Sequence, residues 1–153
     1  MLALSTKNLN NILWNSKVTG RYFLGTFPAC MHPKTKKSIY AFITNTDVHY
    51  DSGEHWNAWY VRDDRLYFFD SFGRSPLDSA FPDFYHKLAH TYKSVTYSRV
   101  QIQATGTSSC GYFCIHFIYI LALGLGIKNF IDDYFKVLYL NEYKVLDFIN
   151  SIV

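Results

Sequence analysis

The sequence predicts an α+β fold: a mostly antiparallel central sheet with helices packed on it, and a cysteine at the N-terminus of a buried helix. Three observations carry this. Periodic segments run helix, three strands, helix, strand, then helices, rather than in regular β–α alternation. Two of the strands, His55–Arg62 and Arg65–Phe72, are joined only by Asp63-Asp64, the mark of a tight hairpin. Thr107-Ser108-Ser109 leads straight into Cys110, which opens an apolar run ending near Gly124.

Taken in order, Ser5 to Ser16 reads as a short amphipathic helix with Leu9, Ile12 and Leu13 on one face. Arg21 to Pro28 is apolar and extended, broken by Gly25 and Pro28, and Met31 to Lys37 is a polar loop. Ser38 to Thr46 is a strand rich in Ile, Tyr and Phe. A turn-rich loop, Thr46 to Gly53, precedes the hairpin, whose near-continuous apolar strands predict a sheet covered on both faces. Gly73 to Pro76 breaks the pattern. Phe84 to Tyr92 reads as helical and Val95 to Gln103 as a strand. After the Cys110 helix, Asn129 to Leu140 and Glu142 to Ile152 read as two closing helices, with Asn141 capping the last.

Length and composition set the limits. A chain of 153 residues, 49% hydrophobic and 19% aromatic, suits one domain over residues 1–153 with one core. A net charge of +3 is too mild to argue for nucleic-acid binding, and Lys34, Lys36 and Lys37 read as a solvated loop. Three cysteines, Cys30, Cys110 and Cys114, show no secreted-scaffold spacing, so a reducing compartment is expected. The first residues hold no signal-peptide pattern, and His116 with the glycines of Gly111–Ile127 makes that run a buried helix rather than a membrane span.

Ser108 or Ser109 is a good N-cap, its hydroxyl able to accept from an unpaired backbone N–H. Cys110 then falls on the first helical turn, where the helix dipole favours a thiolate, the nucleophilic form. Three features converge with it. His55, at the entry to a strand in Gly53-Glu54-His55-Trp56, can act as general base. Asp70 ends an apolar strand, where a carboxylate needs a partner, and the hairpin register sets it beside His55. Gln103 ends a strand ahead of the cysteine, where its amide and the Cys110 N–H can donate to an oxyanion; Gln101 is its rival.

These residues resemble the adenovirus endopeptidase (adenain) family of cysteine proteases, within the papain-like superfamily and the wider group that includes ubiquitin-like-protein-specific proteases. The resemblance is carried by Arg21–Thr26, Gly53–Trp56, Leu66–Gly73 and Gln103–Cys114. It implies Cys110 as nucleophile, His55 as base and later acid, Asp70 as the orienting carboxylate and Gln103 as oxyanion donor. Trp56 would wall the cleft beside the histidine, with Gly53, Glu54 and Ser109 lining the substrate path. It further implies limited cleavage of viral precursor or capsid proteins during particle maturation, by a monomer acting inside the host nucleus or cytoplasm or in the virion. No cofactor enters the chemistry and no membrane is involved; the family's activators are a viral peptide and DNA. Two departures stand out. Asp70 occupies a place where adenovirus enzymes carry Glu and ubiquitin-like-protein proteases carry Asp. Lys93 to Gln103 holds no cysteine, which argues against disulfide-linked activation at that segment. An isopeptidase acting on ubiquitin-like modifiers, and a non-catalytic binding module on the same fold, are the rival readings.

Other residues are expected to be structural. Cys114 shares a helix face with Cys110 as a core thiol. His86 and His90 have a metal-ligand spacing but no third ligand, so no metal site is expected. His116 is core or interface, and His32 and His49 are loop residues without a visible partner.

Overall fold

A computed structural model describes residues 1–28, 31–46, 55–76, 87 and 90–153. Helix α1 spans Thr6–Asn15. Ser5 caps it: Ser5 Oγ accepts from the Asn8 N–H at 3.2 Å while Asn8 Oδ1 accepts from the Ser5 N–H at 3.0 Å, a reciprocal capping box. Its apolar stripe buries Leu9 and Leu13.

Five strands follow in one sheet, in the order β1 (Phe23–Phe27), β2 (Ile39–Asn45), β3 (Trp56–Arg62), β4 (Arg65–Phe69) and β5 (Ser94–Tyr97). The expected antiparallel arrangement holds for the central strands: β2 pairs β3, and β3 pairs β4. The edges differ, since β1 runs parallel to β2 and β5 parallel to β4, so the sheet is mixed. The hairpin turn is as tight as the sequence implies. Asp63 and Asp64 both have left-handed φ, 49° and 62°, the backbone a two-residue turn needs and one that Asp tolerates.

Both faces of the sheet are covered. Helix α2, Cys110–Ala122, packs on one face, where Phe113, Phe117 and Ile118 meet Ala41, Ile43, Ala58, Tyr60 and Phe69. On the other, Tyr40, Phe42, Trp59, Val61, Leu66 and Phe68 cluster with Tyr92. Burying each such side chain contributes about 1.5–3 kcal/mol, which explains strands with almost no polar alternation. At the far end of α2, Arg62 donates to the Leu121 carbonyl at 2.9 Å, a cation at the negative helix terminus. Gly124, with φ +91°, follows the last turn.

Some boundaries differ from the sequence reading. The strand expected to reach Gln103 ends at Tyr97. The helix expected over Asn129 to Leu140 is the shorter α3, Ile127–Asp132. The last helix, α4, starts early at Leu138 and runs to Ile152, so Asn141 lies inside it rather than capping it. Its amide is fully buried, donating to Ile102 O and Phe135 O at 2.9 Å and accepting from Phe135 N at 2.8 Å, and these bonds hold the turn where the longer helix was expected to continue. The helix expected over Phe84 to Tyr92 falls largely outside the described residues. No helix among the described residues is long and apolar enough to cross a membrane.

Candidate active site

Cys110 is the first residue of α2, as expected. Ser109 occupies the N-cap position but its hydroxyl caps nothing; it lies 3.2 Å from Thr107 Oγ1. The Ser109 carbonyl instead accepts from Tyr112 N and Phe113 N, and its side chain is fully buried rather than facing a substrate path. Gly111 lets the helix start close to its neighbours: a Cβ there would lie 3.2–3.3 Å from Leu4, Leu9 and Trp56.

His55 comes in at the mouth of β3. Its Nε2 is 3.2 Å from Asp70 Oδ2, an ion pair when the imidazole is protonated. The pair is sheltered, with side-chain exposures of 13% for His55 and 1% for Asp70. Burial works against a charged imidazole, but hydrogen bonding and Coulomb attraction from Asp70 and Cys110 outweigh it and push the His55 pKa up to about 9. Burial likewise works against the Asp70 carboxylate. Its bonds to His55, the Phe72 N–H and Asn57 overcome this and hold its pKa below the usual value. Cys110, His55 and Asp70 are thus brought together at one end of the hairpin.

The register places them. The ladder's last pair is Ala58 with Phe69, which brings the next residues on each side, Asn57 and Asp70, together. Asn57 Nδ2 donates to Asp70 Oδ2 at 3.0 Å, and the Phe72 N–H donates to Oδ1 at 2.8 Å. The Phe72 ring stacks on the imidazole at 5.0 Å. Sequence reasoning missed Asn57 and Phe72. The signal for Asn57 was present: it is the lone polar residue in Trp56–Val61, and a buried amide needs a partner.

Gln103 is buried beside the loop that leads to Cys110. Its Oε1 accepts from Ser71 Oγ at 2.5 Å, and its Nε2 donates to both Thr107 O and Thr107 Oγ1 at 3.0 Å. The amide nitrogen is therefore turned toward Thr107. The rival, Gln101, donates to the Gln103 carbonyl at 2.9 Å. Trp56, expected to wall the cleft, is 2% exposed; its ring packs on the start of α2 and its Nε1 donates to Leu4 O at 3.1 Å. Gly53 and Glu54, along with Cys30, His49 and His86, lie outside the described residues.

Cys114 is a core thiol: fully buried, donating to Trp56 O at 3.3 Å, its pKa raised by burial. His116 is core too, stacked on Phe148 at 4.0 Å and bonded to the Tyr134 hydroxyl, and burial lowers its pKa to about 4. His32 does have a partner, contrary to expectation: its Nε2 lies 2.8 Å from Tyr92 OH, contributed from far along the chain. Among the described residues no His, Cys, Asp or Glu cluster could hold a metal ion.

No protein-family model matches this sequence, and no curated protein does either. Solved structures do. Two crystal structures of ASFV pS273R protease, one of the Se-Met protein, superimpose on it with TM-scores of 0.66 and 0.51 at 16% and 20% identity. The first match covers 93% of this chain and 65% of that one; the second covers 73% and 44%. The chain therefore spans less than two thirds of the length of those neighbours, and it has a mixed α+β fold similar to that of the ASFV pS273R protease.

Proposed function

We propose that this chain is a cysteine endopeptidase that cleaves viral or mobile-element precursor proteins during particle maturation. The observation that carries the reading is that Asp70 and Cys110 both act on the His55 imidazole, with Cys110 the first residue of a helix. The fold neighbours, themselves named as a protease, support protein substrates.

In this mechanism the Cys110 thiolate adds to the scissile carbonyl while His55 carries the proton. The helix N-terminus and the buried ion pair both favour that charge distribution. The developing oxyanion is received by the Cys110 N–H and the Gln103 amide, for which one Gln103 hydrogen leaves Thr107. His55 protonates the departing amine, and the acyl group stays on sulfur. His55 then takes a proton from water, hydroxide attacks the thioester, and the carboxylic product leaves with the thiolate restored. Nucleophile, base and donor all come from the chain, so the chemistry requires no cofactor. Activation by a viral peptide or DNA, and action inside the host cell or virion, complete the proposal on the strength of the family resemblance.

The test replaces Cys110 with Ala and follows cleavage of the precursor proteins encoded beside this chain. Loss of cleavage is expected, and unchanged cleavage ends the proposal. The Asp70-Ser71 pair favours, as a second reading, an isopeptidase acting on ubiquitin-like modifiers. A ubiquitin-like propargyl probe that labels Cys110 would select it.

A further inference from the structure

Gln103 sits between two residues whose backbone is held by the closing helix. Asn141 Nδ2 donates to the Ile102 carbonyl at 2.9 Å. The next residue, Glu142, accepts at Oε1 from the Ala104 N–H at 3.0 Å; Thr107 Oγ1 lies 3.3 Å from the same oxygen and 2.7 Å from the Ala104 carbonyl, to which it donates. Thr107 is the same residue that accepts from the Gln103 amide. From the other side, the Ser71 carbonyl accepts from Ile102 N and Gln103 N at 2.9 and 3.0 Å, and Ser71 Oγ reaches Gln103 Oε1.

The loop between Gln103 and Cys110 is exposed over residues 105–108. Gly106 has φ +81°, and a Cβ there would meet nothing within 4 Å. A carboxylate accepting from a backbone N–H is a stronger tether than a neutral acceptor would be. We infer that Glu142, with Asn141 beside it, is a positioning residue for the Gln103 carboxamide: helix α4, remote in sequence from the nucleophile, fixes where the oxyanion donor points. This rests on the catalytic reading above, in which Gln103 donates to the oxyanion.

Two reagents separate the roles at Cys110. With p-nitrophenyl acetate, the sulfur adds to the acetyl carbonyl through an oxyanion, p-nitrophenolate leaves with the bonding pair, and an acetyl thioester forms. With iodoacetamide, the sulfur displaces iodide and no oxyanion forms. Glu142→Ala is expected to slow acetylation about tenfold, short of the roughly 10²–10³ that outright loss of an oxyanion donor brings, and to leave alkylation unchanged. Glu142→Gln, which keeps an oxygen acceptor, restores most of the rate. In a Gln103→Ala background, Glu142→Ala adds no further loss, because the residue it positions is gone. Circular dichroism reports folding; should the Ala variant unfold, Glu142→Leu keeps the helix and removes the acceptor. Acetylation unaffected by Glu142→Ala, or a full additive loss on top of Gln103→Ala, overturns the positioning role alone. A wild-type chain that forms no acetyl thioester at Cys110 overturns the catalytic reading and this inference with it.

Discussion

Replacing Asp70 with Asn tests the electrostatics of the site most directly. His55 moves from an ordinary pKa of 6.5 to about 9 although burial opposes its charge, so the attraction of its partners exceeds that penalty. The net change is a few hundred-fold in proton affinity, roughly 3 kcal/mol at 1.36 kcal/mol per tenfold. Asp70, at 3.2 Å and 1% exposed, contributes both a hydrogen bond and a full charge. In the thiolate–imidazolium mechanism, activity is lost on the alkaline side when His55 gives up its proton, so the wild-type kcat/KM should hold to about pH 9. Asp70→Asn removes the charge and leaves the burial, and the alkaline limb should fall by two pH units or more. Stability follows the same proton. A group whose pKa is raised on folding stabilises fully below its unfolded value and loses that contribution as pH rises through the folded value. The wild type should therefore lose up to about 3 kcal/mol between pH 6.5 and 9, and the variant should lack most of this slope. The assay is cleavage of a peptide substrate from pH 5 to 10, with urea unfolding across the same range. An alkaline limb that stays near pH 9 in Asp70→Asn would refute the assignment of Asp70 as the partner that charges the imidazole.

Two further perturbations probe the frame around the site. Gly73 has φ +76°, and a Cβ there would sit 2.5 Å from the Arg99 carbonyl oxygen. Gly73→Ala should therefore cost about 2–4 kcal/mol, combining left-handed strain with overpacking, and lower Tm by roughly 5–15 °C; a Tm within a degree of wild type would contradict the close approach. His116, whose pKa burial lowers to about 4, is neutral in the fold and must charge on unfolding in acid. Stability should decline as pH falls from about 6.5 to 4, by up to roughly 3 kcal/mol, and His116→Phe should flatten that decline in urea titrations; an equally steep decline in the variant would assign it elsewhere.

Local signals in the sequence were enough to find the hairpin, α1 and the start of α2, because each rests on spacing and on residues close together in the chain. The two-residue Asp63-Asp64 turn fixed a register from which the meeting of His55 and Asp70 followed. What was not legible is what distant segments decide. Nothing in Arg21–Pro28 or Val95–Gln103 says that the edge strands run parallel, since that depends on how their connections cross the molecule. Asn141 looked like a cap because capping is what Asn does locally; its actual partners, Ile102 and Phe135, come from tertiary packing. Ser109 holds the expected N-cap position, but its hydroxyl turns to its near neighbour Thr107 instead of the helix N–H groups. Gln103 was expected to end a strand but lies beyond β5, and its engagement with Thr107 depends on rotamers that no pattern encodes.

The hairpin geometry also bears on when the chain becomes reactive. Base and carboxylate meet through a ladder of near neighbours, the kind of contact that closes early and at little entropic cost. The sulfur joins them only after α2, much later in the chain, has docked on the sheet. On the proposed catalytic reading, a nascent or partly folded copy holds an unarmed thiol, and reactivity waits for α2 to dock on the sheet.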